Sequence, residues 1–155
     1  MIISPALPAD ARDIQKLVNG YASKGEMLSL SLSDIYERIR NFMVARADDG
    51  TILGTVALNP VWEDLAEIRS LAVDPERART GVGAALVRRA IEEAIGIGIR
   101  RIFVLTYVTE FFGKFGFVTV DKAVFPHKIW SDCLRCPNFP DCDEVAMQLT
   151  IGDGR

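Results

Sequence analysis

The sequence predicts an α/β fold, with a mixed sheet of six or seven strands flanked by helices, and three observations carry that expectation. FMVARA and TILGTVAL are joined by DDG, which reads as an antiparallel hairpin. LAEIRSLAV runs through a glycine-bearing turn into an amphipathic helix and then into the apolar run IFVLTYV, the strand–helix–strand crossover that a parallel pair requires. EVAMQLTI alternates strictly, with Val145, Met147, Leu149 and Ile151 on one face. The 155 residues, 49% of them hydrophobic, suit one domain, and no internal repeat or low-complexity linker divides them.

Taken in order, MIIS opens the chain as a short strand. Ile14, Leu17, Val18 and Tyr21 then recur at helical spacing, with Asp10 as N-cap. Gly20 and Gly25 bracket a loop, after which a second helix starts near Ser31 or Ser33 and carries Ile35, Ile39 and Phe42 on one face. The hairpin and the strand LAEIRSLAV follow. The helix opened by TGVG runs to about Ile97, with Val82, Leu86, Ala90 and Ala94 inward and Arg88, Arg89, Glu92 and Glu93 in solvent. IFVLTYV is continuous enough to be covered on both faces. A short helix TEFFGKF, a strand GFVTV, a cysteine-bearing segment at 127–143 and the alternating last strand complete the domain.

The net charge of −3 argues against a nucleic-acid partner, which would demand a basic face. No window approaches the roughly 18 apolar residues of a membrane span, and MIISPALPAD lacks the form of a signal peptide. A cytoplasmic protein with no membrane partner is expected. Three cysteines are an odd number for a disulfide framework in such a chain.

RARTGVGAALV is the most informative stretch. A strand that feeds a glycine turn and then a helix start gathers free backbone N–H groups at one spot, and the helix dipole adds partial positive charge. Glycine at 81 and 83 permits close approach of a phosphate, and Arg77 and Arg79 add formal charge. Simple turn geometry is the alternative for these glycines. The stretch is neither a P-loop, which needs Lys then Ser or Thr after its last glycine, nor a dinucleotide fingerprint, which needs a third glycine.

The run EIRSLAVDPERARTGVGAALVRRAIEEA resembles the signature segment of the GNAT superfamily of acetyl-CoA-dependent N-acetyltransferases, and the resemblance extends from Ile2 to Val120, through the KFGF ending of the short helix. It implies a GNAT-like fold with acetyl-CoA as cosubstrate. The coenzyme's pyrophosphate would lie on the loop Arg77, Ala78, Arg79, Thr80, Gly81, Val82, Gly83 and Ala84, and Leu71, Ala72 and Val73 would hold its pantetheine arm or an oxyanion. Ala78 stands where the family pattern has Arg or Gln, with Arg77 or Arg79 to compensate. Phe112, assigned to the coenzyme site, stands where many members have a catalytic tyrosine.

Within the superfamily, AEIRSLAV, LTYVTEFFGKFGF and LVNGYASKGEML resemble the short, stand-alone N-acetylglutamate synthases of arginine biosynthesis. That implies direct acetyl transfer in a ternary complex to a small amino acid, L-glutamate first. It implies also a basic residue after GEML, where this chain has Leu30, so Lys24 or Arg69 would bind carboxylates. Homodimers are common among proteins that resemble this one.

Transfer to an amine needs loss of the ammonium proton, stabilisation of an oxyanion and protonation of the departing thiolate. Alternation places Glu67, Arg69, Leu71 and Val73 on one face of their strand, unless a bulge alters the register. Glu67 is then the base, through a water, and Tyr107 the candidate acid. An exposed Glu67–Arg69 pair and a packed Tyr107 are the plain alternatives. The same chemistry on another small amine, favoured by Leu30, and a module that binds acetyl-CoA or a metal without turnover are the competing functions.

HKIWSDCLRCPNFPDCDE spaces its cysteines C-x2-C-x5-C. Cys133, Cys136 and Cys142 with His127 make a tetrahedral set for structural zinc. Packed reduced thiols or a labile Cys133–Cys136 disulfide are the alternatives.

Overall fold

The computed structural model describes residues 1–25, 27, 29–121 and 144–152. Among these, the apolar runs become β1 (Ile2–Pro5), β2 (Phe42–Arg46), β3 (Ile52–Trp62), β4 (Leu65–Val73), β5 (Arg101–Thr106), β6 (Val118–Thr119) and β7 (Val145–Thr150). They form one sheet in the order β1-β2-β3-β4-β5-β7-β6, antiparallel throughout except for the parallel pair β4 and β5. Helices α1 (Ala11–Ala22) and α2 (Leu32–Glu37) cover one face, while α3 (Val82–Gly96), the crossover between β4 and β5, covers the other. Helix α4 (Thr109–Gly113) follows β5. No helix among the described residues is long and apolar enough to cross a membrane.

The α3 side of the core is built as the periodicity predicts. Val82, Leu86, Ala90 and Ala94 are buried against Val56, Ala66, Ile68 and Met147. Gly54 of β3 sets the approach of this helix. A Cβ on Gly54 would lie 3.0 Å from Leu86 Cδ1 and 3.1 Å from both Val82 Cγ1 and the Ala72 carbonyl, so only a bare backbone lets α3 seat. Met147 also packs there, joined by half-buried Val145, Leu149 and Ile151 from the last strand.

On the opposite face, Ile14 and Val18 of α1 meet Ile35, Phe42, Val44 and Ala57. Ser31 caps α2 by accepting from the Asp34 N–H at 3.0 Å, as the serine pattern predicts. The helix is shorter than expected. At Arg38 (φ −113°, ψ 19°) the N–H is shared between the Asp34 and Ile35 carbonyls, and a single turn over Ile39–Asn41 leads into extended Phe42. Ile35, Ile39 and Phe42 still share one cluster, reached through a turn and a strand rather than one helical face. Gly20 lies inside α1 rather than in a loop. Asp10 does not cap α1 with its side chain; buried, it accepts from the Leu7 N–H at 2.8 Å and pairs with Arg46 of β2.

Candidate active site

The crossover strand β4 is bulged, and that decides what faces where. Ala57 pairs with Arg69 and Thr55 with Ala72, so three steps on β4 answer two on β3. The extra residue lies at Ser70, whose φ of 53° is unusual for a side chain other than glycine. The single face expected for Glu67, Arg69, Leu71 and Val73 is therefore corrected. Glu67 and Arg69 look toward the α1 and α2 side, opposite Asn59 and Ala57, whereas Leu71 and Val73 pack on the α3 side. Ala72 returns to the α1 side and is buried there.

Beyond the bulge the sheet is split. Strand β4 pairs with β5 only at Leu65, Ala66 and Glu67, while β5 stays paired with β7 as far as Thr106. Asp74 N–H donates back to the Leu53 carbonyl of β3 at 2.8 Å. Strand alternation consequently turns the N–H groups of Val73 and Leu71 away from β3 and into the split, and that of Ala72 toward β3. Of the three residues expected to offer backbone donors, two are placed to do so. Tyr21 fixes this end of the strand by donating its hydroxyl to the Val73 carbonyl at 2.7 Å.

The anion loop stands at the mouth of the split. Residues 75–81, with Arg77, Ala78, Arg79 and Thr80 among them, are exposed, and Arg79 (φ 66°) and Gly81 (φ 89°) adopt left-handed backbone. Alternation of hand along a loop turns successive N–H groups inward as an anion nest. Gly81 caps α3 with no side-chain bond, and the first helical bond is from Ala85 N–H to the Gly81 carbonyl. The N–H groups of Val82, Gly83 and Ala84 are thus without a helical acceptor. The two glycines differ in cause. Gly81 is required by its φ, whereas a Cβ on Gly83 would make ordinary contacts of 3.6 Å with Phe111 Cζ and Val73 Cγ2. Gly81→Ala should cost about 1–2 kcal/mol of stability, while Gly83→Ala should be neutral or stabilise by up to about 1 kcal/mol. Urea melts of both variants check this contrast.

On the α1 and α2 side, a shallow depression, open to solvent, reaches β4 between Leu30, Asp34, Arg38, Asn59, Arg69 and Ser70. Glu67 is buried at 8% exposure, with its Oε1 3.7 Å from the Arg69 Nε. Asn59 accepts from Asn41 Nδ2 at 3.1 Å. A carboxylate at the apex of the split therefore lies beside a guanidinium that lines a small depression.

The other expected residues divide. Tyr107 directly follows β5 with 42% exposure, presented where Val108 N–H bonds the Thr106 hydroxyl at 2.9 Å. Lys24 is exposed, its ammonium 5.9 Å from the Tyr21 ring centroid, and does not line the depression. Phe112 is corrected from a coenzyme contact to a core residue: it is 3% exposed and packs edge-on against Phe111 and Phe117. Its neighbour Phe111, one helical step round α4, is the ring beside Gly83 and Val73. Arg38, Asn59 and Phe111 escaped the sequence reading; the only local signal for Arg38 was a cation at a helix end. Cys133, Cys136, Cys142 and His127 lie outside the described residues.

A split parallel pair with an uncapped helix start at its mouth and a buried carboxylate at its apex defines a class: a transferase-like α/β domain with a seat for a phosphate-bearing donor. The chain belongs to the acetyltransferase (GNAT) family, whose model matches residues 12–117. It is 42% identical over 143 residues to an uncharacterized N-acetyltransferase of Chlorobaculum tepidum, covering 92% of each chain. It is 35% identical over 136 residues to the amino-acid acetyltransferase of Mycobacterium tuberculosis, covering 86% of this chain and 78% of that one. Among solved structures, the N-acetylglutamate synthase of Neisseria gonorrhoeae complexed with coenzyme A and N-acetyl-glutamate superposes with a TM-score of 0.87 at 27% identity, over 97% of this chain and 35% of that one. The protein is an N-acetyltransferase of the GNAT type.

Proposed function

We propose that the protein transfers the acetyl group of acetyl-CoA to the α-amino group of a small amino acid, with L-glutamate the first acceptor to test. The observation that carries this reading is the adjacency of Glu67 and Arg69 where β4 meets the depression. Arg69 can hold a carboxylate beside an amine, and Glu67 can take the ammonium proton through a water. The similarity to amino-acid acetyltransferases supports it.

The residues present fit the donor. The nest at 79–81 and the α3 start would receive the pyrophosphate, with Arg77 and Arg79 adding charge. Acetyl-CoA supplies the acetyl group as a thioester. The N–H groups of Leu71 and Val73 are turned to hold the pantetheine arm or the carbonyl oxygen. As the amine nitrogen bonds the carbonyl carbon and the carbon–sulfur bond breaks, the Tyr107 hydroxyl would give a proton to the sulfur, and the second proton that the nitrogen sheds on becoming an amide would return to the tyrosinate. Leu30, an apolar side chain on the depression, favours a second reading in which the acceptor is a different small amine.

Thiol release from acetyl-CoA with a panel of amino acids and carboxylate-free amines tests the assignment. Efficient turnover confined to amines bearing an adjacent carboxylate is expected. Equal turnover of amines lacking one would transfer the case to the second reading.

The C-x2-C-x5-C spacing supports a second proposal, that Cys133, Cys136 and Cys142, with His127, hold a structural zinc. Protein purified without chelator should carry about one zinc per chain, since such sites bind with apparent energies on the order of 10 kcal/mol or more. Elemental analysis without metal, together with three freely titrating thiols, would return these cysteines to packed reduced thiols.

A further inference from the structure

Two guanidinium groups reach the depression from different elements. Arg69 comes from β4 and is held near the apex of the split by Glu67, 3.7 Å from its Nε. Arg38 comes from the end of α2, is exposed, and makes no ion pair or side-chain hydrogen bond among the described residues. The one carboxylate on the lining, Asp34, is tied to the start of its own helix, where its Oδ2 accepts from Ser31 N–H at 3.4 Å.

Position 30 faces this same space. Its backbone is fixed by three bonds to α1: Leu30 N–H to Asn19 Oδ1 at 3.0 Å, and its carbonyl to Asn19 Nδ2 at 3.3 Å and Gln15 Nε2 at 3.2 Å. A basic side chain at 30 would therefore project onto the surface that Arg38 already lines. Leu30 instead adds an apolar side chain to the lining, suited to methylene groups. The lining thus combines a guanidinium held beside Glu67, an apolar side chain, and a second guanidinium without an ion pair among the described residues. An amino acid with a carboxylate at each end of a short aliphatic stem matches that set of groups.

We propose that Arg38 binds the side-chain carboxylate of the acceptor and so selects dicarboxylic amino acids, Arg69 holding the α-carboxylate; this rests on the amino-acid reading above. Arg38 takes over from α2 the charge that position 30 does not carry.

The test compares L-glutamate with L-glutamine, which has the same shape and no side-chain charge, in steady-state thiol-release assays. The wild type should prefer glutamate. Arg38→Ala should raise KM for glutamate by about tenfold or more, with kcat, KM for acetyl-CoA and KM for glutamine each changed less than about twofold. Arg38→Lys should retain part of the preference, and Leu30→Arg introduced with Arg38→Ala should recover it, because the second cation then reaches the depression from the other wall. Circular dichroism verifies that each variant is folded. A glutamate preference that survives Arg38→Ala, or an equal KM rise for glutamate and glutamine, overturns the role of Arg38 and leaves the amino-acid reading standing. A wild type that acetylates glutamine but neither glutamate nor aspartate overturns the selection by Arg38 alone, and one that acetylates no amino acid overturns both.

Discussion

Glu67→Gln is expected to lower kcat by about 10²–10⁴-fold, the range that a positioned general base contributes. The amide keeps the shape of the side chain in a position only 8% exposed, so acetyl-CoA affinity should be retained, while loss of the charge opposite Arg69 lowers stability. The carboxylate acts as base only when ionised. Any loss of activity toward low pH that the wild type owes to this carboxylate should be absent in the variant, which has nothing to protonate there. Steady-state kinetics across pH, with isothermal titration of acetyl-CoA, checks both halves. A wild-type pH profile at wild-type turnover would place the base on another group.

Gly83→Glu should move affinity and stability in different directions. The new Cβ meets only ordinary 3.6 Å contacts, so the fold can accept the side chain. A carboxylate in the first turn of α3 even favours the helix, by about 0.3–1 kcal/mol. The same charge would stand in the proposed seat of the coenzyme phosphates, and acetyl-CoA affinity should fall at least about tenfold, or about 1.4 kcal/mol. Calorimetry and a thermal melt on one sample separate the two effects. Unchanged affinity in the folded variant would remove the loop from coenzyme binding.

Much of this fold is legible without coordinates because the informative patterns are local. The strands β2, β3, β4 and β7 and the helix α3 follow from periodicity, since burial on one face imposes a period of about two or 3.6 residues. The anion loop is legible for a related reason: a strand, a turn, glycines and a helix start are contiguous in the chain. Glu67 and Arg69 stand out because they are charges within an otherwise apolar strand.

The order of elements, the core faces of the long ones and the glycine-rich helix start are local properties, readable from contiguous residues. The remaining features depend on how segments pack. A bulge is a count of residues against a partner, three steps of β4 for two of β3, so the reversal of Leu71 and Val73 cannot be read from β4 alone. Whether Phe111 or Phe112 faces the loop depends on the docking of a helix of five residues, too short to show a periodic face. Gly54 looks like any glycine in a strand until α3 lies on it at contact distance. Arg38 and Leu30 are eight positions apart in the chain and share one depression only because a helix turns between them and its end packs beside β4. Each of these is a relation between segments, fixed by packing that no single segment contains.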